Sequence, residues 1–203
     1  MDSFNSRLVN AVNDKKSHLC IGLDVNPEGI NNYNATIEDL KFYTQKIITA
    51  TQDLAVAFKP NLGFYERWGS EGFKWLEETM DSFEEDVLVI GDAKRGDIGN
   101  TATQYAKSLF EHFGFDAVTL NPYMGLDSIA PFISDPKKGV FILCKTSNPS
   151  ASDFQNLQQN DKKLFELVAE KCFIWNEKDN IGLVIGATAP EEIISVRNYA
   201  PGL

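Results

Sequence analysis

Six short, almost unbroken apolar runs, each followed by a longer stretch with helical spacing, set the tightest limit on what this chain can become. The runs are His18–Asp24, Ala55–Pro60, Val87–Lys94, Ala117–Pro122, Gly139–Thr146 and Ile181–Thr188. Strands that are apolar on both faces and alternate with helices belong in a parallel sheet covered by those helices, so the class is α/β. Thr36 opens the first helix of the alternation. Asp39, three residues on, completes a capping-box spacing, and Leu40, Ile47 and Leu54 are spaced for one face. Phe73, Leu76 and Met80 mark the next helix. Another runs from near Asn100 to Phe113 and is closed by Gly114, and one more from about Asp161 to Trp175. Pro190 suits the first turn of a last helix, with glutamates where the helix dipole favours them. Near the start, Phe4, Leu8 and Val12 recur every four residues. They predict a small helix on the outer surface or closed end; the stripe is too thin for a membrane-binding helix.

A doubly wound sheet and a barrel both satisfy this pattern. The first run ends Gly-Leu-Asp-Val-Asn-Pro, without the glycine-rich turn of a doubly wound nucleotide binder. Polar residues instead close run after run: Asp24, Lys59, Asp92 with Lys94, Asn121, Lys145 with Thr146, and Thr188. Functional groups at the C-terminal ends of many strands describe the active face of a barrel. The expected fold is a TIM-type (β/α)8 barrel, with residues 1–203 forming one domain that carries about six of the eight units. Barrels of this kind typically need ~250 residues and bind phosphate in the loops after strands seven and eight. The sequence therefore reads as a fragment or trimmed form of a complete enzyme, with those two strands missing.

Charge narrows the partners. A formal net charge of −10 repels polyanions, which argues against nucleic acid and anionic membranes as partners; a small anionic substrate would need a local cluster of Lys or Arg. No signal-peptide core and no apolar stretch of about 20 residues is present, so a cytoplasmic, soluble protein is expected. Cys20, Cys144 and Cys172 are widely spaced, without a Cys-x-x-Cys, and read as buried thiols of a reducing compartment. His18 and His112 lack ligand spacing and read as packing or surface residues. The aromatic run from Phe64 to Trp75 reads as a packing face.

The densest chemistry lies in Gly91-Asp-Ala-Lys-Arg-Gly-Asp-Ile-Gly99. On a regular strand, Asp92 and Lys94 project to the same face, and Asp97 follows a glycine-flanked bend. Adding Lys59 from the preceding strand gives two ammonium groups and two carboxylates, each able to keep its neighbours ionised away from water. A protonated lysine beside carboxylates can stabilise a carbanion and then donate a proton to it. The plainer reading of Asp-x-Lys alone is a surface ion pair at a strand end.

Gly22-Leu-Asp-Val-Asn-Pro27, Ala57-Phe-Lys-Pro-Asn61, Gly91 to Gly99, Thr119-Leu-Asn-Pro-Tyr-Met-Gly125 and Lys145-Thr-Ser-Asn-Pro-Ser150 together resemble the orotidine 5′-phosphate decarboxylases, in their longer bacterial form. The resemblance runs in order through the whole chain. It implies that Asp24 binds the ribose hydroxyls, that Lys59 bridges ribose and charge array, that Asp92 faces the substrate carboxylate, and that Lys94 protonates C6 of the pyrimidine. It implies that Ser147 recognises the pyrimidine edge. Asp97, Ile98 and Thr101 would reach into a partner's site, making a homodimer, and neither metal nor organic cofactor is implied. Two other readings compete. One is a Mg²⁺-dependent sugar-phosphate decarboxylase or aldolase of the same superfamily, whose members carry a carboxylate where this chain has Lys59. The other is a truncated, inactive barrel that acts as a binding protein.

Overall fold

Each apolar run becomes a strand in the computed structural model, which describes residues 2–84, 86–188 and 190–203. The strands are β1 (Cys20–Leu23), β2 (Ala57–Pro60), β3 (Leu88–Arg95), β4 (Ala117–Leu120), β5 (Gly139–Lys145) and, after a small hairpin of β6 (Gln158–Gln159) with β7 (Lys162–Lys163), β8 (Ile181–Ile185). Their order in the sheet is β1-β2-β3-β4-β5-β8, and the β1–β2, β2–β3 and β5–β8 ladders are parallel. The helices are α1 (Phe4–Lys15), α2 (Ile37–Thr51), α3 (Leu62–Glu66), α4 (Gly69–Met80), α5 (Gly99–Lys107), α6 (Leu164–Trp175) and α7 (Pro190–Tyr199). Packing divides the described chain into two compact units. Ser6–Ala93 with Lys107–Val118 form one, and the remaining segments form the other.

In the first unit, register explains the core. Cys20 pairs with Ala57 and Ala57 with Leu88, so alternate residues of all three strands share a face. Leu23 and Phe58 lie on one face and pack with Ile48 of α2 and Ala55, flanked by Ile21, Ile47, Phe83 and Val87. Gly91 lets this layer close: a Cβ there would sit 2.8 Å from the Phe115 ring. The expected capping box opens α2. Asp39 N–H donates to the Thr36 hydroxyl at 3.3 Å, and Thr36 N–H donates to the Asp39 carboxylate at 2.8 Å. The buried face of α2 differs from expectation, being Leu40, Thr44 and Ile48. The helix stops at Thr51, and Leu54, beyond it, is 61% exposed. Its neighbour Ala55 enters the core instead. Tyr65 and Trp75 are buried with ring centroids 4.3 Å apart, so the aromatic run does form a packing face. The helix expected to reach Phe113 ends sooner as an α-helix: Ser108–His112 form a π-helical turn, and Gly114, with φ 76°, closes it.

In the second unit, Asn180 is a hub. Fully buried, its side-chain amide donates to the carbonyls of Ile133, Asp135 and Lys138. The start of α1 docks beside it: Phe4 N–H donates to Pro136 at 2.8 Å and Asn5 N–H to Asp179 at 3.2 Å. The Phe4 ring, 1% exposed, meets Phe141 edge-on and lies where a Cβ on Gly139 would be. The polar stretch before α6 is not a plain loop. Asn160 and Asp161, with φ of 50° and 64°, form the turn of the β6–β7 hairpin. Two successive positive φ values characterise a type I′ turn. The helix therefore begins at Leu164 rather than near Asp161.

Cys144 and Cys172 are buried, and burial pushes both thiols up to about 12. Cys20 departs from expectation and is exposed. His18 and His112 are exposed as expected. Among the described residues, no helix is long and apolar enough to cross a membrane.

Candidate active site

The face of β1–β3 opposite the Phe58 core carries a polar tier at its C-terminal end. Gly22 pairs with Lys59, and one step further Asn61 bridges to Asp92. The Lys59 ammonium lies 2.8 Å from the Asp92 carboxylate, whose side chain is only 9% exposed; that of Lys59 is 31% exposed. A charge-assisted bond of this length offsets part of the cost of burying the carboxylate. Gly22, opposite Lys59, adds no side chain above the pair. Asn61 organises the other edge. Its amide donates to the Asp24 carboxylate at 3.2 Å, while its carbonyl accepts Gly63 N–H at 3.3 Å and caps α3. The first unit thus brings Asp24, Lys59 and Asp92 onto one tier, with Asn61 between Asp24 and Asp92. Asn61 lies within the Ala57–Asn61 motif, and the resemblance implies no role for it. Its signal was an Asn directly after the proline that closes β2, a position that suits an N-cap.

The second unit carries Lys94, Asp97, Ile98, Thr101 and Ser147. Lys94 breaks the simple alternation of β3, since its φ is 47°. The expectation that Asp92 and Lys94 continue along one extended face therefore needs correction: Ala93 is buried and Lys94 turns out exposed, in a left-handed conformation. Such a conformation costs a non-glycine residue roughly 1–2 kcal/mol, and residues held in it cluster at functional sites. The Lys94 N–H donates to the hydroxyl of Thr119, which is 3% exposed, at 2.9 Å. Thr119 opens the Thr119–Gly125 motif, and the resemblance implies no role for it either. No local signal identifies it, because the bond spans 25 residues.

After the bend, the Asp97 carboxylate accepts the N–H of Ile98 at 2.8 Å. Ile98 is 56% exposed, Gly99 has φ 58°, and Thr101 lies exposed in the first turn of α5. Ser147 follows β5 and is exposed. Gly186 lies against it, since a Cβ there would come within 2.9 Å of the serine Cβ. The loop that holds Ser147 is tied at its neck. Gln155 accepts Thr146 N–H at 2.9 Å and returns a bond to the Thr146 hydroxyl at 2.8 Å, while Lys145 reaches Asn156 at 3.0 Å and Glu192 at 3.5 Å. Beside that neck is a cavity of about 550 Å³ lined by Asn121, Tyr123, Leu143, Thr146, Gln155 and Phe165 among others. Its size and mostly apolar walls suit a small organic molecule. Among the described residues, no three His, Cys, Asp or Glu side chains cluster as a metal-binding set.

An ammonium–carboxylate pair between the ends of two neighbouring strands, with a left-handed lysine two residues further along β3, is an arrangement able to stabilise developing negative charge. The model of the orotidine 5′-phosphate decarboxylase / HUMPS family matches residues 17–202. The orotidine 5′-phosphate decarboxylase of Natronomonas pharaonis is 47% identical over 199 residues, covering 97% of this chain and 73% of that protein. Its counterpart from Dehalococcoides mccartyi (strain ATCC BAA-2100) is 42% identical over 204 residues, covering 98% of this chain and 74% of that protein. Among solved structures, Leishmania donovani OMP decarboxylase superposes with a TM-score of 0.90 at 42% identity, over 98% of this chain and 76% of that one. Leishmania donovani UMP synthase gives 0.92 at 41% identity, over all of this chain and 44% of that one. The fold class is the TIM-type α/β fold expected from the alternation of runs and helices. By family match, sequence identity and fold together, the chain belongs to the orotidine 5′-phosphate decarboxylase / HUMPS family.

Proposed function

We propose that this protein decarboxylates orotidine 5′-monophosphate to uridine 5′-monophosphate, the closing step of de novo pyrimidine nucleotide synthesis. The observation that carries the reading is the Lys59–Asp92 contact at 2.8 Å between β2 and β3, with the left-handed Lys94 two residues beyond Asp92 on β3. In the proposed reaction the C6–carboxylate bond breaks, carbon dioxide leaves, and the electron pair remains on C6. Lys94 then gives that carbon a proton and regains one from water. Asp92 lies against the departing carboxylate. Its electrostatic effect and the exchange of solvent for fixed charges act on the same step. Lys59 neutralises Asp92 and reaches the ribose, Asp24 takes the ribose hydroxyls, and Ser147 reads the pyrimidine edge. Asp97, Ile98 and Thr101 complete the site of a second copy in a homodimer that works in the cytoplasm. Charge stabilisation by ammonium groups requires no metal or organic cofactor.

Lys59 separates this reading from the Mg²⁺-dependent sugar-phosphate branch of the superfamily. A fixed ammonium 2.8 Å from Asp92 opposes a divalent cation at that carboxylate. The test is the absorbance of orotidine 5′-monophosphate added to the purified protein that carries this chain, with EDTA present. Loss of the substrate band, abolished by Lys94→Ala, is the expected result. Binding without turnover would replace the reading with that of a binding protein, and turnover that EDTA abolishes would favour the metal-dependent branch.

A further inference from the structure

We infer that Thr119 is a positioning residue for the reaction: its hydroxyl holds the backbone of Lys94 in the left-handed conformation from which the lysine delivers its proton. The inference rests on the decarboxylase reading above. Consecutive residues of a regular strand turn their N–H and C=O groups to alternating sides. The Arg95 carbonyl faces β4, where it accepts the N–H of Asn121 at 2.8 Å. By that alternation the Lys94 N–H should turn away from β4. It does the opposite and donates to Thr119 Oγ1 at 2.9 Å. The φ of 47° at Lys94 belongs to this reversal.

A side-chain acceptor thus takes a bond where a strand would ordinarily use a carbonyl. Thr119 is 3% exposed, so water is poorly placed to substitute for its hydroxyl. The next residues are supported from the same strand end. A Cβ on Gly96 would sit 3.4 Å from both the Cβ and the carbonyl oxygen of Asn121. Thr119 and Asn121 together therefore shape the bend from which Lys94 projects. A lysine Nζ lies five bonds from its Cα, so a small backbone rotation moves the ammonium by ångströms. Misplacing a reacting group by about 1 Å can slow a reaction about 100-fold. Thr119 acts through the Lys94 backbone and is given no contact with substrate.

The experiment compares Thr119→Val, which preserves shape and removes the acceptor, with Thr119→Ser, which retains it. Two quantities are measured: steady-state decarboxylation, and hydrogen exchange at the Lys94 amide. Thr119→Val should lower kcat about 100-fold with KM within about twofold of the unmodified protein, and Thr119→Ser should recover most of the rate. Lys94 amide exchange should quicken about tenfold or more in the valine variant and stay slow in the serine variant. An unchanged kcat in Thr119→Val overturns the inference. So does a loss in both variants that follows the folded fraction, which would assign Thr119 a purely structural role. Unchanged exchange at Lys94 overturns it whatever the activity. Faster exchange in Thr119→Val, in a protein that never decarboxylates, would keep the backbone role and reject the decarboxylase reading.

Discussion

Asp92 is the residue whose environment asks most of its neighbours. A carboxylate with 9% of its side chain exposed depends on the Lys59 ammonium 2.8 Å away. Lys59→Met removes that charge while keeping most of the side-chain volume. The variant is expected to lose roughly 1–3 kcal/mol of unfolding free energy, below the full loss for a buried pair because Lys59 is about a third exposed. Urea titration of the variant beside Asp92→Asn and the double substitution isolates the pair; additive losses would show that the two side chains do not depend on each other. Much of this tier was readable in advance, because each charged residue closes an apolar run and strand alternation says which neighbours share its face. The departure of Lys94 was not, since a positive φ at a lysine leaves no mark in composition or spacing. Thr119 escaped for a related reason: its partner is a backbone N–H 25 residues away.

Helix α2 owes its start to two reciprocal bonds, and they make it sensitive to acid. The N–H and the hydroxyl of Thr36 both donate to Asp39, which holds its carboxyl below the ordinary value of 3.8. A group depressed in the folded state adds stability that is complete above its unfolded value and is lost as pH falls through the folded value. The cap should therefore contribute fully above about pH 4 and progressively less below it. Urea melts between about pH 2 and pH 5 should show a shallower acid decline in Asp39→Asn than in the unmodified protein, and identical slopes would deny the cap this role. The cap was legible because all its information lies within four residues. The far end of the helix was less so. Leu54 keeps the seven-residue spacing from Ile47, yet the chain has left the helix at Thr51 and places Ala55 in the core. The β6–β7 hairpin had a signal in Asn160-Asp161, but the flanking Gln and Lys residues hid its strands within a polar stretch. The π-helical turn at Ser108–His112 has no sequence signature of its own.

At the scale of the whole molecule, the proposed homodimer makes a sharp demand. If Asp97 serves a neighbour's site, a Lys94→Ala chain and an Asp97→Ala chain, each inactive alone, should regain activity when mixed. One of the two sites in the heterodimer would then be intact. Heterodimers proven by differential tagging that remain inactive would count against shared sites. The class of fold was legible at this scale because strand and helix alternate through most of the chain; the expected alternation lapses between β4 and β5, where a single 3-10 turn at Leu126–Ser128 replaces the helix. The docking of α1 was not: spacing at Phe4, Leu8 and Val12 announces a helix, while its contacts come from residues far along the sequence. Asn5 bonds Asp179 and Ile181, 174 and 176 residues later, and Phe4 meets Pro136 and Phe141. At about 5–20 residues per second, Asn5 leaves the ribosome roughly ten to thirty seconds before its last partner is synthesised. Throughout that interval Phe4 has no finished pocket, so the nascent chain must carry an exposed aromatic anchor. Chaperones should hold this segment until β8 has been synthesised and release it afterwards.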